Sequence, residues 1–457
     1  MQQHFTDDTI VALATPAGTS AVAIIRVSGK RSFDIVNSVF RSKDLSKQDS
    51  HTIHFGTIRN DSEIIDEVLV SVFKNPHSYT KEDALEISCH GSNYVIKRII
   101  ELLIDKGARL AKAGEFSQRA FLNGRFDLAQ AEAVADLIAS DTEAAHKAAM
   151  NQMRGGFSEE IRQLRERLVH FASMIELELD FAEEDVEFAS RDELKDLVNQ
   201  IRSVIVELIK SFEVGNVIKS GVPTVIAGKP NAGKSTLLNA LLNEEKAIVS
   251  DIPGTTRDVI EDEIIIEGIF FRFIDTAGIR ETKDKIEAIG VERTHERMKK
   301  ASLILFLFDL SVETETEIFT EINRLENLGI PFIPIGNKID VAPKELLDRL
   351  QKHPEFEFIS AEVQQNLDGL KSKLLETVDF KKIGSGDTIV TNARHYESLT
   401  KTRQALEDVL KGIDDQITND FLALDIRQSL HHLGEITGEI TNDDLLANIF
   451  SKFCIGK

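Results

Sequence analysis

From Thr9 to about Arg119, short apolar runs alternate with turn signals: TIVALA, the TPAG turn, AVAIIRVSG, EVLVSVF and LEISCHGS. Such runs, bounded by Gly and Pro, mark half-buried strands, and the helical period of YVIKRIIELLI that follows completes the pattern of an α+β domain. From Asp127 the rhythm changes. AQAEAVADLIAS and EAAHKAAMNQM are rich in Ala, with no Pro to interrupt the hydrogen-bond ladder, so long helices are expected. Ile161, Leu164, Leu168, Phe171 and Ile175 step by three and four, and so do Leu194, Leu197, Ile201, Val204 and Leu208. Each set draws one apolar seam along a helix, which must pack on a neighbour. Near Val214 the period turns to strands alternating with helices, and after about Asp387 HYESLTKTRQALEDVLKGI restores the helical rhythm. Both helical segments would expose apolar faces if they stood apart, which predicts one helical domain built from sequence on each side of an insert. The expected division is residues 1–119, 120–215, 216–382 and 383–457, with GSGD at 384–387 as the return linker and no repeat of fixed period.

A chain of 457 residues is long enough for about three domains of ~150 residues each, which excludes a lone small module. Its 54 Lys and Arg against 76 Asp and Glu leave a net charge of −22, so the mean surface potential repels phosphate. Sequence-independent binding of nucleic acid by the whole chain is therefore disfavoured; such a partner needs a local patch or a helper protein. Cys89 and Cys454 are the only cysteines, too few for a disulfide framework or a thiolate zinc set, and a reducing, cytoplasmic setting is expected. The N-terminus lacks a basic segment followed by an apolar core, and no run approaches roughly 18 uncharged apolar residues, so neither export nor a membrane span is expected. The most apolar run, Leu303 to Phe308, ends in Asp309 and reads as a buried strand of a parallel sheet.

The strand signal VPTVIAG runs directly into GKPNAGKS and then the helix former TLLNALLN. This is G-x-x-x-x-G-K-[ST] in its strand-loop-helix setting, where Asn231, Ala232, Gly233, Lys234, Ser235 and Thr236 can cradle phosphates with backbone N–H groups and a helix N-terminus. Lys234 would neutralise the β- and γ-phosphates, and the Ser235 hydroxyl would ligate Mg²⁺. Downstream, a hairpin pattern through Ile264 and Phe273 opens DTAG (Asp275, Thr276, Ala277, Gly278), where a carboxylate can hold the metal's water shell and a glycine amide can sense a γ-phosphate. The strand from Phe332 ends in NKID, where Asp340 can accept two hydrogen bonds from guanine that adenine does not offer. Asn337 and Lys338 belong to the same motif, and Ser360 and Ala361, after EFEFI, would finish the base pocket. Alone, a glycine turn before a helix or a surface NKID is ordinary. Four motifs in one order at strand ends define a GTP-binding domain.

Ras-like switches place a glutamine after DTAG to orient the attacking water, but here Ile279 stands there and cannot. Arg280, Glu281, Asp284 and Glu287 are either its replacements or solvated loop residues. SDIPGTTRD lies where a switch loop should, comprising Ser250, Asp251, Ile252, Pro253, Gly254, Thr255 and Thr256; Thr256 can bring a hydroxyl to Mg²⁺, and Arg257 is an arginine finger or a surface cation. Elsewhere the plainer readings are Arg26 as a surface cation, Cys89 and His90 as a satisfied core pair, and the acidic run from Glu176 to Glu187 as a solvated helix end.

GKPNAGKS, DIPGTTRD, DTAGIRE and NKID, with TPAG, IIRVSG, LEISCHG, GEFSQRAFLNGRFDLAQAEA and the terminal GEITNDDLLANIFSKFCIGK, resemble the MnmE (TrmE) family of bacterial tRNA-modification GTPases along the whole chain. The resemblance implies a multidomain α/β and α fold: an N-terminal α+β tetrahydrofolate-binding and dimerisation domain, a discontinuous helical domain and an inserted Ras-like P-loop α/β GTPase domain. It implies a GTPase activated when two G domains meet across their nucleotides, with K⁺ where an arginine finger would act. Asn231, Ser250, Ile252 and Thr255 match the family's potassium ligands, and Glu287 matches its catalytic glutamate, which orients the water. Arg26, Glu86 and Lys457 match contacts to 5-formyltetrahydrofolate, while Arg125 stands where relatives carry lysine, a cation of different geometry. Cys454, near the family's one-carbon site, is a candidate reactive thiol or a structural one.

The implied function is GTP-dependent addition of a carboxymethylaminomethyl or aminomethyl group to C5 of the wobble uridine of certain tRNAs. It would use a 5-formyl- or 5,10-methylene-tetrahydrofolate unit and an FAD-containing partner, MnmG, in a heterotetramer or larger assembly on a homodimer of this chain. The partner would supply most of the tRNA-binding surface, in keeping with the acidic balance. Two rivals make different demands. A GTP-controlled ribosome-assembly switch needs an RNA-binding appendage rich in Lys and Arg, and a folate scaffold with a degenerate GTPase sits poorly with intact Lys234, Ser235, Thr256 and Asp340.

Overall fold

The alternating runs at the amino terminus become a seven-stranded sheet of order β3-β4-β5-β6-β2-β1-β7. Its strands are β1 (Ile10–Leu13), β2 (Ser20–Ser28), β3 (Phe40–Arg41), β4 (Thr52–Asn60), β5 (Glu63–Phe73), β6 (Ala84–Gly91) and β7 (Arg109–Leu110). All neighbours are antiparallel except β1 and β7. Helices α1 (Ser32–Val39) and α2 (Asn93–Asp105) cover one face, burying Ile25, Val27, Ile87, Ile99 and Leu103 in a common core. On β4 and β5 of the same sheet, Ile53, Phe55 and Leu69 remain exposed. The computed structural model describes residues 8–180, 190–246, 262–274, 301–377 and 388–457.

The chain gathers into two compact units. One contains Met1–Ala139, Ala149–Ile205 and Glu397–Lys457; the other contains Ser140–Ala148 and Val206–Tyr396. Sequence from both sides of the insert thus meets in the first unit. After α3 (Glu115–Leu122) come α4 (Leu128–Ile138), α5 (Glu143–Met153), α6 (Gly156–Asp180) and α7 (Arg191–Ser220). The Ala-rich sequence makes two helices of 11 residues each, shorter than the long helices expected. The Thr142 hydroxyl accepts the Ala145 N–H and caps a new start, a local bond that outweighs the propensity of Ala to continue.

On α6 the foreseen seam is buried at all five positions. On α7 Leu194, Ile201 and Leu208 are buried, but their deep companions are Val198 and Ile205, while Leu197 and Val204 lie half-buried at the flank. Adjacent residues differ by about 100° around a helix, so both choices draw a seam and packing selects one. The helix also runs on to Ser220, past the change of period expected near Val214, because Gly215 and Ile218 stay on its buried side.

Within the first unit, α13 (Asn419–Thr437) lies along α6. Arg427 bonds Glu176 at 2.6 Å, and Asn419 donates to Glu178 at 2.8 Å. The start of the acidic run is thereby partnered rather than merely solvated. The last helix, α14 (Asp443–Ser451), sets Leu446, Ile449 and Phe450, with Phe453, against Leu128 and Ala131 of α4. A bridge between Ala113 and Ile455 then lays the C-terminus beside the N-terminal sheet.

The second unit is a six-stranded sheet of order β13-β12-β11-β8-β10-β9. It comprises β8 (Val222–Ala227), the antiparallel hairpin β9 (Asp262–Ile266) and β10 (Ile269–Phe273), β11 (Leu303–Asp309), β12 (Phe332–Asn337) and β13 (Glu357–Phe358), with every other pairing parallel. Every residue of β11 is buried, as a strand covered on both faces requires. Helices α8 (Lys234–Lys246), α9 (Glu315–Glu326), α10 (Lys344–Leu350) and α11 (Leu367–Thr377) follow the strands, and α12 (Ala393–Asp414) leads back to the first unit. EFEFI supplies only a two-residue edge strand. No helix among the described residues is long and apolar enough to cross a membrane.

Candidate functional site

The loop Gly228–Gly233 leaves β8 at the carboxyl end of the parallel sheet and turns into α8, the place where open α/β sheets bind ligands. Lys234 curls back over this loop and donates to the carbonyls of Gly228 and Lys229, both at 2.8 Å. Burial pushes its pKa down, against a smaller opposing pull from the Glu313 carboxylate. Among the described residues its hydrogen-bond partners are uncharged carbonyls, and an anion arriving at the loop would add a counter-charge. Glu313 is itself engaged, accepting the Asp309 N–H at 3.0 Å and facing the Lys229 ammonium at 3.2 Å. Asn231 is exposed with φ 64°, Ser235 is half-buried in the first turn of α8, and Thr236 is exposed.

Asn337, at the end of β12, ties the phosphate loop to the base pocket. Its side-chain amide donates to the Ala232 carbonyl at 2.8 Å, and its side-chain oxygen accepts the Ala361 N–H at 3.0 Å. A Cβ on Gly233 would stand 2.2 Å from the Asn337 amide nitrogen, so the glycine is required by the approach of that side chain, as well as by its own φ of 99°. Lys338 takes the left-handed conformation (φ 64°) and bonds Asp309 at 2.5 Å. Burial would raise the Asp309 pKa, yet Lys338 and Ser311 together hold it below the usual carboxylate range. Asp340 stays exposed in a short 3₁₀ turn, Ile339–Val341, while Ser360 and Ala361 are buried. The structure thus brings the phosphate loop, Asn337 and Ala361 together. Residues 250–257, 275–281, 284 and 287, which carry the switch-loop, DTAG and water-orienting assignments, and the linker 384–387 lie outside the described residues.

A second constellation lies in the first unit. Arg26, Glu86 and Arg125 line one cavity of about 530 Å³. Arg26 is no surface cation: its guanidinium pairs with Glu86 at 2.8 Å, donates to the Gly456 carbonyl at 3.2 Å, and lies 5.1 Å from the centre of the Tyr79 ring. Arg125 approaches the same ring at 5.1 Å and bonds the Ser78 carbonyl. No sequence motif announces Tyr79; its one signal is rarity, as one of three tyrosines. Lys457 is half-buried near Arg26 and Glu86, and burial, then the Arg26 charge, lowers its pKa. The tail reaches this point because Gly456, at φ 96°, passes so close to Leu13 that a Cβ would meet the Leu13 carbonyl at 2.2 Å. Cys454 is exposed. Cys89 and His90 are not a core pair: neighbours on a strand face opposite ways, so Cys89 is buried, its thiol pushed up to about 11 by burial and Asp66, while His90 is exposed and bonds Asp66 at 2.7 Å.

A phosphate loop on β8 joined through Asn337 to a base loop on β12 defines a P-loop protein of the guanine-nucleotide-binding class. Residues 9–125 match the family described as GTP-binding protein TrmE N-terminus, and residues 128–454 match the MnmE helical domain. The chain is 60% identical over 450 residues to a tRNA modification GTPase MnmE of Cytophaga hutchinsonii, covering 98% of each. Proteins of the same name from Christiangramia forsetii and Bacteroides fragilis are 54% and 51% identical, each matched over at least 98% of both chains. Among solved structures, the G domain of the T. maritima FeoB iron transporter aligns with 34% of this chain and 98% of its own, at 28% identity and a TM-score of 0.25. The chain belongs to the MnmE family, and its G domain is that of a GTP hydrolase.

Replacing Gly233 with Ala would drive a methyl into the Asn337 amide. Guanine-nucleotide affinity, measured by fluorescence titration with a labelled GDP, is expected to fall about tenfold or more, the cost of leaving a buried hydrogen bond unmade.

Proposed function

We propose that this chain hydrolyses GTP to GDP and phosphate in the pathway that adds a carboxymethylaminomethyl or aminomethyl group to C5 of the wobble uridine of certain tRNAs. The observation that carries the reading is the coupling of phosphate loop and base loop through Asn337, joined to membership of a family of tRNA modification GTPases. On nucleotide binding, Lys234 exchanges its two carbonyl partners for β- and γ-phosphate oxygens, and the half-buried ammonium gains its counter-charge. Asp340, exposed beside the buried Ser360 and Ala361, is free to accept the guanine N–H and amine. Ser235, in the first turn of α8, and Thr256 would hold Mg²⁺, which when bound would supply positive charge against the phosphates. Asn231, with Ser250, Ile252 and Thr255, would hold K⁺, and Glu287 would orient the attacking water in place of the aliphatic Ile279.

The cavity of the first unit suits a tetrahydrofolate. Glu86 can accept the pterin N–H groups, Tyr79 offers a flat face, and Arg26, Arg125 and Lys457 are cations for carboxylates of the tail. Ile53, Phe55 and Leu69 expose apolar surface on two adjacent strands, which favours a homodimer through the N-terminal sheet. With a net charge of −22, this chain would leave most of the tRNA contact to an FAD-containing partner, MnmG, in a cytoplasmic complex.

Nucleoside analysis of tRNA from a deletion strain is expected to show loss of the wobble C5 modification; normal modification there would defeat the proposal. Asp340→Asn is expected to shift preference from GTP toward xanthosine triphosphate, and unchanged GTP affinity would remove Asp340 from the base site. Exchanging KCl for NaCl should cut turnover at least about tenfold, a loss of ~1.4 kcal/mol of transition-state stabilisation, and equal rates would remove potassium from the mechanism.

A further inference from the structure

Away from both constellations, three metal-binding side chains converge on one turn of α13, in the segment LHHLGE. At about 100° per residue, Glu435 projects between His431, one turn and about 40° away, and His432, about 60° away on the other side. Both rings therefore reach the same carboxylate. His432 Nδ1 lies 3.2 Å from Glu435 Oε2, and His431 Nε2 lies 3.5 Å from Glu435 Oε1. The imidazoles stand nearly perpendicular, at 79° with centroids 5.5 Å apart, and all three groups offer a ligand atom within 4.8 Å of the others. Ligands at the usual bond lengths of roughly 2.0–2.2 Å around a tetrahedral ion lie about 3.3 Å apart, so small rotamer changes would close the set.

The geometry points to a divalent transition-metal site of zinc type, held by His431, His432 and Glu435, with water in the fourth position. Two imidazoles and one carboxylate suit Zn²⁺, Co²⁺ or Ni²⁺ rather than Mg²⁺, which separates this site from the oxygen ligands of the phosphate loop. His432 is largely buried and His431 half-exposed, leaving the outer position open to solvent. The Lys401 ammonium of α12 feels the Glu435 charge and makes its own contact to Glu397 at 2.7 Å. A bound ion would clamp the last turns of α13, from which the chain departs toward α14 and the C-terminal tail.

The test uses the full chain, stripped with a chelator and titrated with Co²⁺ in buffer free of nucleotide and magnesium. One equivalent should develop the visible d–d bands of a low-coordinate site, which Zn²⁺ then bleaches, and Zn²⁺ should raise the melting temperature. His432→Ala and Glu435→Gln should each weaken uptake about tenfold or more, leave helix content unchanged by circular dichroism and leave basal GTP hydrolysis intact. His431→Gln, close in size to the native ring, gives the same reading if His432→Ala does not fold. Absence of saturable Co²⁺ uptake, or folded variants that bind as the wild type does, would overturn the site.

Discussion

The side chain of Asn337 is the joint on which the nucleotide site depends. Its two hydrogen bonds, to the Ala232 carbonyl and from the Ala361 N–H, fasten three loops from the ends of different strands into one surface. Each bond is worth only about 1 kcal/mol net, but leaving these buried groups unpaired costs more, so the loops are held in one relative register. A phosphate grip and a base grip must stand at a fixed separation to measure one ligand. The Asn337 amide sets that separation, and the bare Cα of Gly233 permits it.

The cavity around Arg26 is built by a comparable long-range closure. Arg26 and Glu86 come from paired strands and are register partners, while the Gly456 carbonyl arrives from the far end of the sequence. What brings it there is apolar burial: Phe450 and Phe453 pack on Leu128 and Ala131, and the Ala113–Ile455 bridge extends that contact to the sheet. The tail thus reaches Arg26, a residue of the cavity wall, because the helix before it has a hydrophobic place to sit. An arginine that looks like an isolated surface cation becomes the centre of a layer of carboxylate, ring and carbonyl. Its charge also helps to hold the Lys457 pKa down.

Local chemistry made much of this legible in advance. Short apolar runs between turn signals wrote the strands of the N-terminal sheet, a continuous apolar run wrote β11, and the spacing of glycine, lysine and serine wrote the phosphate loop, since each signal lies within a few neighbouring residues. The misreadings share one cause. Leu197 and Val204 satisfy a helical seam as well as Val198 and Ile205 do, and only the neighbouring surface distinguishes them. Ala-rich sequence promises long helices until the Thr142 hydroxyl captures an N–H and starts another. Tyr79 carries no motif, and its place between two guanidinium groups exists only once β2, the loop after β5 and the Arg125 turn are folded together.

By itself the sequence determined the element types, the order of nucleotide motifs and the kind of base they suit, because these follow from backbone preference and from donor and acceptor chemistry within short stretches. Tertiary structure alone decided which seam of α7 is buried, that Cys89 faces inward while His90 faces out, that Arg26, Glu86, Tyr79 and Arg125 share one cavity, and that the tail meets Arg26 beside it. Those outcomes turn on contacts between residues far apart in the chain, where burial and hydrogen-bond satisfaction of the whole choose among local arrangements of nearly equal energy.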